Sequence, residues 1–164
     1  MSPSAAALSH FPGSFVPLPD PGVWSPRGRE RKWGAVHPNE ALIREGYDAF
    51  VAGNIERVAE LLHPDIVWHV GGTSPLSGDY KGHGELMALF ARLSEFTDGS
   101  ISISARDILT SDDHVIALTT MRGKRGDRVL EDDGVAVFKV ADAKAVEVWV
   151  FAENQGAIDS FFSG

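Results

Sequence analysis

Three side chains stand where proton transfer is chemically reasonable: Asp132, His69 and Tyr80. Asp132 lies in Leu130-Glu131-Asp132-Asp133-Gly134, ahead of the run Val135 to Val140 that reads as a strand. If Ala136 and Phe138 point inward, a period of two sends Asp132 inward and Glu131 and Asp133 outward. A carboxylate at an apolar mouth suits general acid or base work near neutral pH, because desolvation disfavours its charged form; an acidic cluster beside a hairpin also suits plain solvation. His69 closes an earlier β-type run, Ile66-Val67-Trp68, and an imidazole there could move a proton between substrate atoms. The same alternation turns it away from any pocket that Trp68 and Val70 face. Tyr80, two residues before Gly82, could donate to a ligand oxygen or pack its ring at a rim. Tyr47, Trp68, Phe90, Phe138 and Trp149 would give a flat apolar ligand large contact areas, and would equally furnish an ordinary core.

The elements that must position these residues follow from periodicity and punctuation. Asn39 to Ala52 reads as a helix with Leu42, Ile43, Tyr47, Phe50 and Val51 on a broad apolar face, and Gly46 within it suggests close packing. Gly53 can take the left-handed conformation that stops this helix, and Asn54 is a good N-cap for the next. Ile55, Val58, Leu61 and Leu62 recur at helical spacing until Pro64, and from Asp65 the residues become β-formers. His69 to Gly78 is rich in Gly, Ser and Pro and reads as a long loop, a natural pocket rim. A third helix from Gly82 carries Leu86, Leu89, Phe90, Leu93 and Phe96 on one face. Strands over 101–109, 115–122, 129–140 and 145–152 follow, joined by polar turns, and 155–162 forms a closing helix. This order predicts an α+β fold: a curved antiparallel sheet, helices packed on its concave face, and an apolar pocket between them.

Composition narrows the partners. The 164 residues carry a formal charge of −8 with 43% hydrophobic residues, which fits a globular acidic domain and disfavours nucleic acid as a partner. There is no cysteine, and no pair of the six histidines has zinc-site spacing with a carboxylate, so neither metal nor cofactor is expected. No apolar run approaches the roughly 20 residues of a membrane span, and a cytoplasmic location is the default expectation. Six of the nine prolines fall in residues 1–37, with Arg27, Arg29, Arg31 and Lys32 against Asp20 and Glu30. That segment reads as an irregular extension, either a loose terminus or an arm with Phe11, Phe15, Trp24 and Trp33 as anchors, ahead of a domain over 38–164.

Residues from about Glu40 to Phe162 resemble the nuclear transport factor 2-like superfamily and, within it, the SnoaL-like group related to polyketide cyclases and ketosteroid isomerases. The resemblance rests on Gly53-Asn54 followed by Val58 to Trp68, on Pro75-Leu76-Ser77-Gly78-Asp79-Tyr80-Lys81-Gly82 entering the third helix, and on Val137-Phe138-Lys139-Val140 with Val146-Glu147-Val148-Trp149. It implies the cone-shaped fold named for that superfamily and a small apolar ligand, polyketide-like or polycyclic. It also implies either cofactor-free acid–base chemistry of isomerase, cyclase or dehydratase type, or a non-catalytic binding or dimerisation module. Pairing as a homodimer through the outer sheet face, near Ile116 and Leu118, is a further expectation. The isomerase residues are not retained in register: Val70 stands where the general-base carboxylate falls, Ala136 where the second aspartic acid falls, and Gly46, beside Tyr47, where the helix tyrosine falls. Ketosteroid isomerisation is therefore disfavoured, and Asp132, with His69 or Tyr80 assisting, becomes the catalytic expectation.

Overall fold

The computed structural model describes residues 35–163; the extension read over 1–37, with its aromatic anchors, lies almost wholly outside the described residues. The order is α1 Pro38–Val51, α2 Ile55–Leu61, β1 Leu62–Val70, β2 Gly78–Lys81, α3 Gly82–Phe96, β3 Ser102–Thr110, β4 His114–Arg125, β5 Arg128–Ala141, β6 Lys144–Ala152 and α4 Gln155–Ser163. The caps are where the residue types place them. His37 Nδ1 accepts from the Asn39 amide at 3.1 Å with Pro38 opening α1, and Asn54 Oδ1 accepts from the Arg57 amide at 3.1 Å to start α2. Gly53, between the two helices, has φ +72°.

The six strands form one curved sheet in the order β2-β1-β6-β5-β4-β3. Three features depart from the sequence reading, the smallest being that α2 gives way to β1 at Leu62 rather than at Asp65. The sheet is mixed, not wholly antiparallel, because β1 and β6 pair in parallel, Trp68 opposite Val148 and His69 opposite Trp149. Nothing local in either strand encodes that pairing. The rim loop is also shorter than expected: Gly78–Lys81 adds itself as β2 to the edge of β1, with Tyr80 opposite Trp68 and Asp79 opposite His69. Pro64 falls inside β1, where the pairing with β6 shifts register between Leu62 and Val67, as a residue without an amide donor requires.

Alternation divides the sheet into two faces. Ile66, Ala117, Ala136, Phe138 and Val148 are buried on the inner face with Ile43, Leu86, Leu89 and Phe162 from the helices. The long register of β4 on β5, from His114–Lys139 to Arg125–Arg128, carries this division along both strands without a bulge. Gly46 does not answer to close packing. A Cβ there would meet only Leu61 Cδ1, at an ordinary 3.8 Å, so the missing side chain leaves space on the inner side of α1.

Candidate active site

Between the helices and the inner face lie two adjoining apolar spaces. The first, about 100 Å³, is lined from α1 and α2 by Leu42, Gly46, Tyr47, Phe50 and Leu61, and from the sheet by Ala136 and Phe138. The second, about 110 Å³, lies toward α3, α4 and the β1–β2 loop, with Val70, Leu76, Leu93, Asp132, Ile158 and Phe162 around it. Trp68, Phe90, Ile103, Thr119, Met121 and Val150 line both, so the two are lobes meeting at a shared waist. Edge-on ring contacts hold that waist in shape: Trp68 to Phe90 at 5.8 Å, Trp68 to Phe138 at 6.1 Å and Tyr47 to Phe138 at 6.1 Å between centroids.

Asp132 points inward, opposite Met121 on β4, and is 8% exposed. Its two oxygens accept backbone amides from the turn ahead of α4, Oδ2 from Glu153 at 3.2 Å and Oδ1 from Asn154 at 3.0 Å. The side chain therefore has a positioning task as well as a place on the lobe: it ties β5 to the entry of the closing helix. Each oxygen keeps a further lone pair. Among the described residues Asp132 is the one carboxylate lining the two lobes, and no described lysine, arginine or histidine lines either.

His69 and Trp149 occupy the opposite face of the sheet. Trp149, expected among the ligand-contacting aromatics, lines neither lobe; its ring stacks on His69 at 5.4 Å and 17°. His69 Nδ1 contacts Asp79 Oδ1 at 2.7 Å and Nε2 contacts Glu147 Oε1 at 3.0 Å. The hydrogen bond to Asp79 first, and to Glu147 second, raises its pKa above the ordinary histidine value. An imidazole held on both nitrogens, outside the cavity, is not placed to assist Asp132. Tyr80 faces inward, but its hydroxyl donates to the Leu76 carbonyl at 2.8 Å and lines neither lobe. It pins the rim loop to β2.

Tyr47 differs from Tyr80. Burial pushes its pKa up, keeping the phenol protonated, and its hydroxyl has no hydrogen-bond partner among the described residues. The Thr119 hydroxyl and the Trp68 indole N–H are likewise unpartnered, although both residues line the waist. Sequence reasoning passed over Thr119. The available signal was its place in β4 among inward positions, where Gly134 of β5 stands opposite and leaves room. A Cβ on Gly134 would lie 3.4 Å from Thr119 Oγ1 and 2.5 Å from the Phe151 carbonyl.

The rim is built by α4 and the β1–β2 loop together. Asp159 accepts from the Thr73 amide at 3.0 Å and the Ser74 amide at 3.2 Å, while Gln155 Nε2 donates to it at 3.0 Å. Burial pushes the Asp159 pKa up, but the hydrogen bonds from Gln155, Thr73 and Ser74 outweigh it and hold the carboxyl below its usual value.

A sheet wrapped on helices, with its cavity on the inner face, is an α+β cone, the fold also seen in solved nuclear transport factor 2-like proteins. The chain belongs to the SnoaL-like domain family, which matches residues 43–148, more than half of its length. An uncharacterised protein of Mycobacterium tuberculosis is 25% identical over 123 residues, covering 74% of this chain and 94% of that protein. The solved structure of Bal32a, from a soil-derived mobile gene cassette, has a TM-score of 0.74 and 28% identity over 76% of this chain and 96% of its own. IdmH, a putative polyketide cyclase from Streptomyces antibioticus, is similar in fold at a TM-score of 0.61 and 22% identity, over 72% of this chain and 94% of its own.

Proposed function

We propose that this SnoaL-like domain binds a small apolar molecule, polycyclic or polyketide-like, in the two-lobed cavity, with Asp132 as its cofactor-free acid–base group. The carrying observation is the composition of the lining: predominantly apolar in both lobes, with Asp132 the single carboxylate among the described lining residues. Asp132 is oriented by two backbone amides, so it meets a ligand in a fixed direction, as a proton-accepting group must. Donors at Tyr47 and Thr119 would stabilise negative charge developing on a ligand oxygen as the proton leaves toward Asp132.

The neutral fluorescent apolar probe 6-propionyl-2-(dimethylamino)naphthalene tests the cavity first. Its emission should rise on binding and fall back in Ala136→Trp, which fills the first lobe; equal emission from the filled variant would remove the cavity as the site. Once a turned-over substrate is in hand, Asp132→Asn should abolish turnover with the fold retained by circular dichroism, and unchanged turnover would remove Asp132 from the chemistry.

A second reading, a dimerisation module, is favoured by the outer face. Leu109, Ile116, Val137 and Trp149 form one row across four strands, and Leu109, Ile116 and Phe151 are exposed at 52%, 40% and 55%. A second copy of the chain set against this row would cover it. Light scattering at micromolar concentration should report a dimer that Ile116→Asp dissociates; a monomer at that concentration ends this reading.

A further inference from the structure

The polar atoms of the cavity are sorted by kind, and the sorting describes the ligand. Around the first lobe and the waist stand donors without partners among the described residues, the Tyr47 and Thr119 hydroxyls, with the Trp68 indole N–H a third such donor on a waist residue. On the second lobe alone, across the strand from the waist residue Met121, stands the acceptor-only carboxylate of Asp132. The Ser74 hydroxyl and the Gln155 amide of that lobe are engaged in the hydrogen bonds of the rim. No cationic side chain among the described residues lines either lobe, so an anionic group brought inside would lose its hydration without a counter-charge from them and would meet Asp132. A cavity of about 150 Å³ takes benzene, so lobes of about 100 and 110 Å³, both open on one side, are each on the scale of a single ring.

We propose that the cavity selects a neutral, elongated, oxygenated ligand of about two rings that spans the waist, an oxygen at one end accepting from Tyr47 or Thr119 and a hydroxyl at the other donating to Asp132. Carboxylates, phosphates and sulfonates of the same shape are discriminated against. Thr119 joins Tyr47 as a specificity-determining residue, and Gly134 is the residue that keeps the space beside it open. The burial that keeps Tyr47 protonated makes it a donor throughout the physiological range. This inference rests on the cavity-binding reading above and adds to it the charge and polarity of the occupant.

The test is isothermal titration calorimetry near neutral pH with three probes of one shape: naphthalene-2,6-diol, naphthalene, and 6-hydroxy-2-naphthoate, whose carboxyl is ionised. The diol should bind at least about tenfold more tightly than the naphthoate, with naphthalene between them. Tyr47→Phe and Thr119→Val should each weaken the diol by roughly threefold or more while leaving naphthalene unchanged. Asp132→Asn should remove most of the penalty on the naphthoate. Should that variant fail to fold, the Tyr47 and Thr119 variants carry the test through their effect on the diol alone. If the naphthoate binds as well as the diol, or all three probes bind alike, the polarity assignment is overturned while the cavity reading stands. If none of the three binds, the cavity reading falls and this inference with it.

Discussion

Trp68 and Trp149 lie on adjacent paired strands and on opposite faces of one sheet, with His69 next to the first in sequence and opposite the second in register. On the inner side Trp68 meets Phe90 and Phe138 edge-on, and the side-chain hydroxyls of its neighbours Tyr47 and Thr119 have no partner among the described residues. On the outer side Trp149 stacks on a histidine whose two nitrogens are both engaged by carboxylates. Farther along that face, Arg122 pairs with Glu131 and Arg106 with Asp133. The outer face satisfies its polar groups within the protein, and the inner face keeps donors in reserve beside apolar walls. Donors left free in an apolar space mark a place for a ligand, whereas paired charges beside water contribute little to stability and serve mainly solubility.

The comparison breaks first at the two tryptophans. Trp68→Ala should cost about 3–5 kcal/mol of stability by urea denaturation, the range for truncating a packed aromatic. Trp149→Ala should cost about 1 kcal/mol, the central value for point substitutions. Equal losses would mean that the two faces are packed alike. Gly134→Ala comes next at about 1–3 kcal/mol, because its Cβ would meet the Phe151 carbonyl at 2.5 Å and force β5 and β6 apart. Gly46→Ala should stabilise the fold by up to about 1 kcal/mol of helix propensity while narrowing the first lobe. A gain in melting temperature coupled to weaker probe binding would confirm that the glycine serves the cavity.

Two smaller effects sharpen the contrast. Tyr47→Phe should change ligand-free stability by less than about 0.5 kcal/mol, since its hydroxyl makes no bond to lose; a larger loss would mean that the protein itself satisfies the group. His69 should titrate above 6.5 when followed by NMR, its ordinary value, because Asp79 and Glu147 favour its protonated form. A raised folded-state pKa means that its contribution to stability is fully present below 6.5 and is lost as pH rises through the raised value. Glu147→Gln should bring the titration back toward 6.5, with no change in probe binding on the other face.

Much of the fold was legible because its signals are local. The Gly53-Asn54 break, the Leu86-Leu89-Phe90-Leu93 stripe and the alternation along β5 each report on a few neighbouring residues. The starts of α2, α3 and β5 lie within a residue or two of where those signals put them, whereas β1 begins three residues before Asp65 and β4 runs three residues past Arg122. The inward turn of Asp132 and the outward turn of His69 follow from that same period of two. Tyr80 escaped it. Its ring does face inward, but whether its hydroxyl is spent on Leu76 depends on the path of the rim loop, which no periodicity encodes.

The sequence by itself determined the helices, the long strands, the family and which faces of β1 and β5 are apolar, because capping and side-chain alternation act over a few residues. Only the tertiary structure decided that β1 and β6 run parallel and that Trp149 stands behind the sheet beside His69. It alone left Tyr47 and Thr119 without partners among the described residues, and it alone set Asp132 against the amides of Glu153 and Asn154. Those outcomes join residues far apart in the chain, and they follow from which strand edges meet and which space the helices leave unfilled.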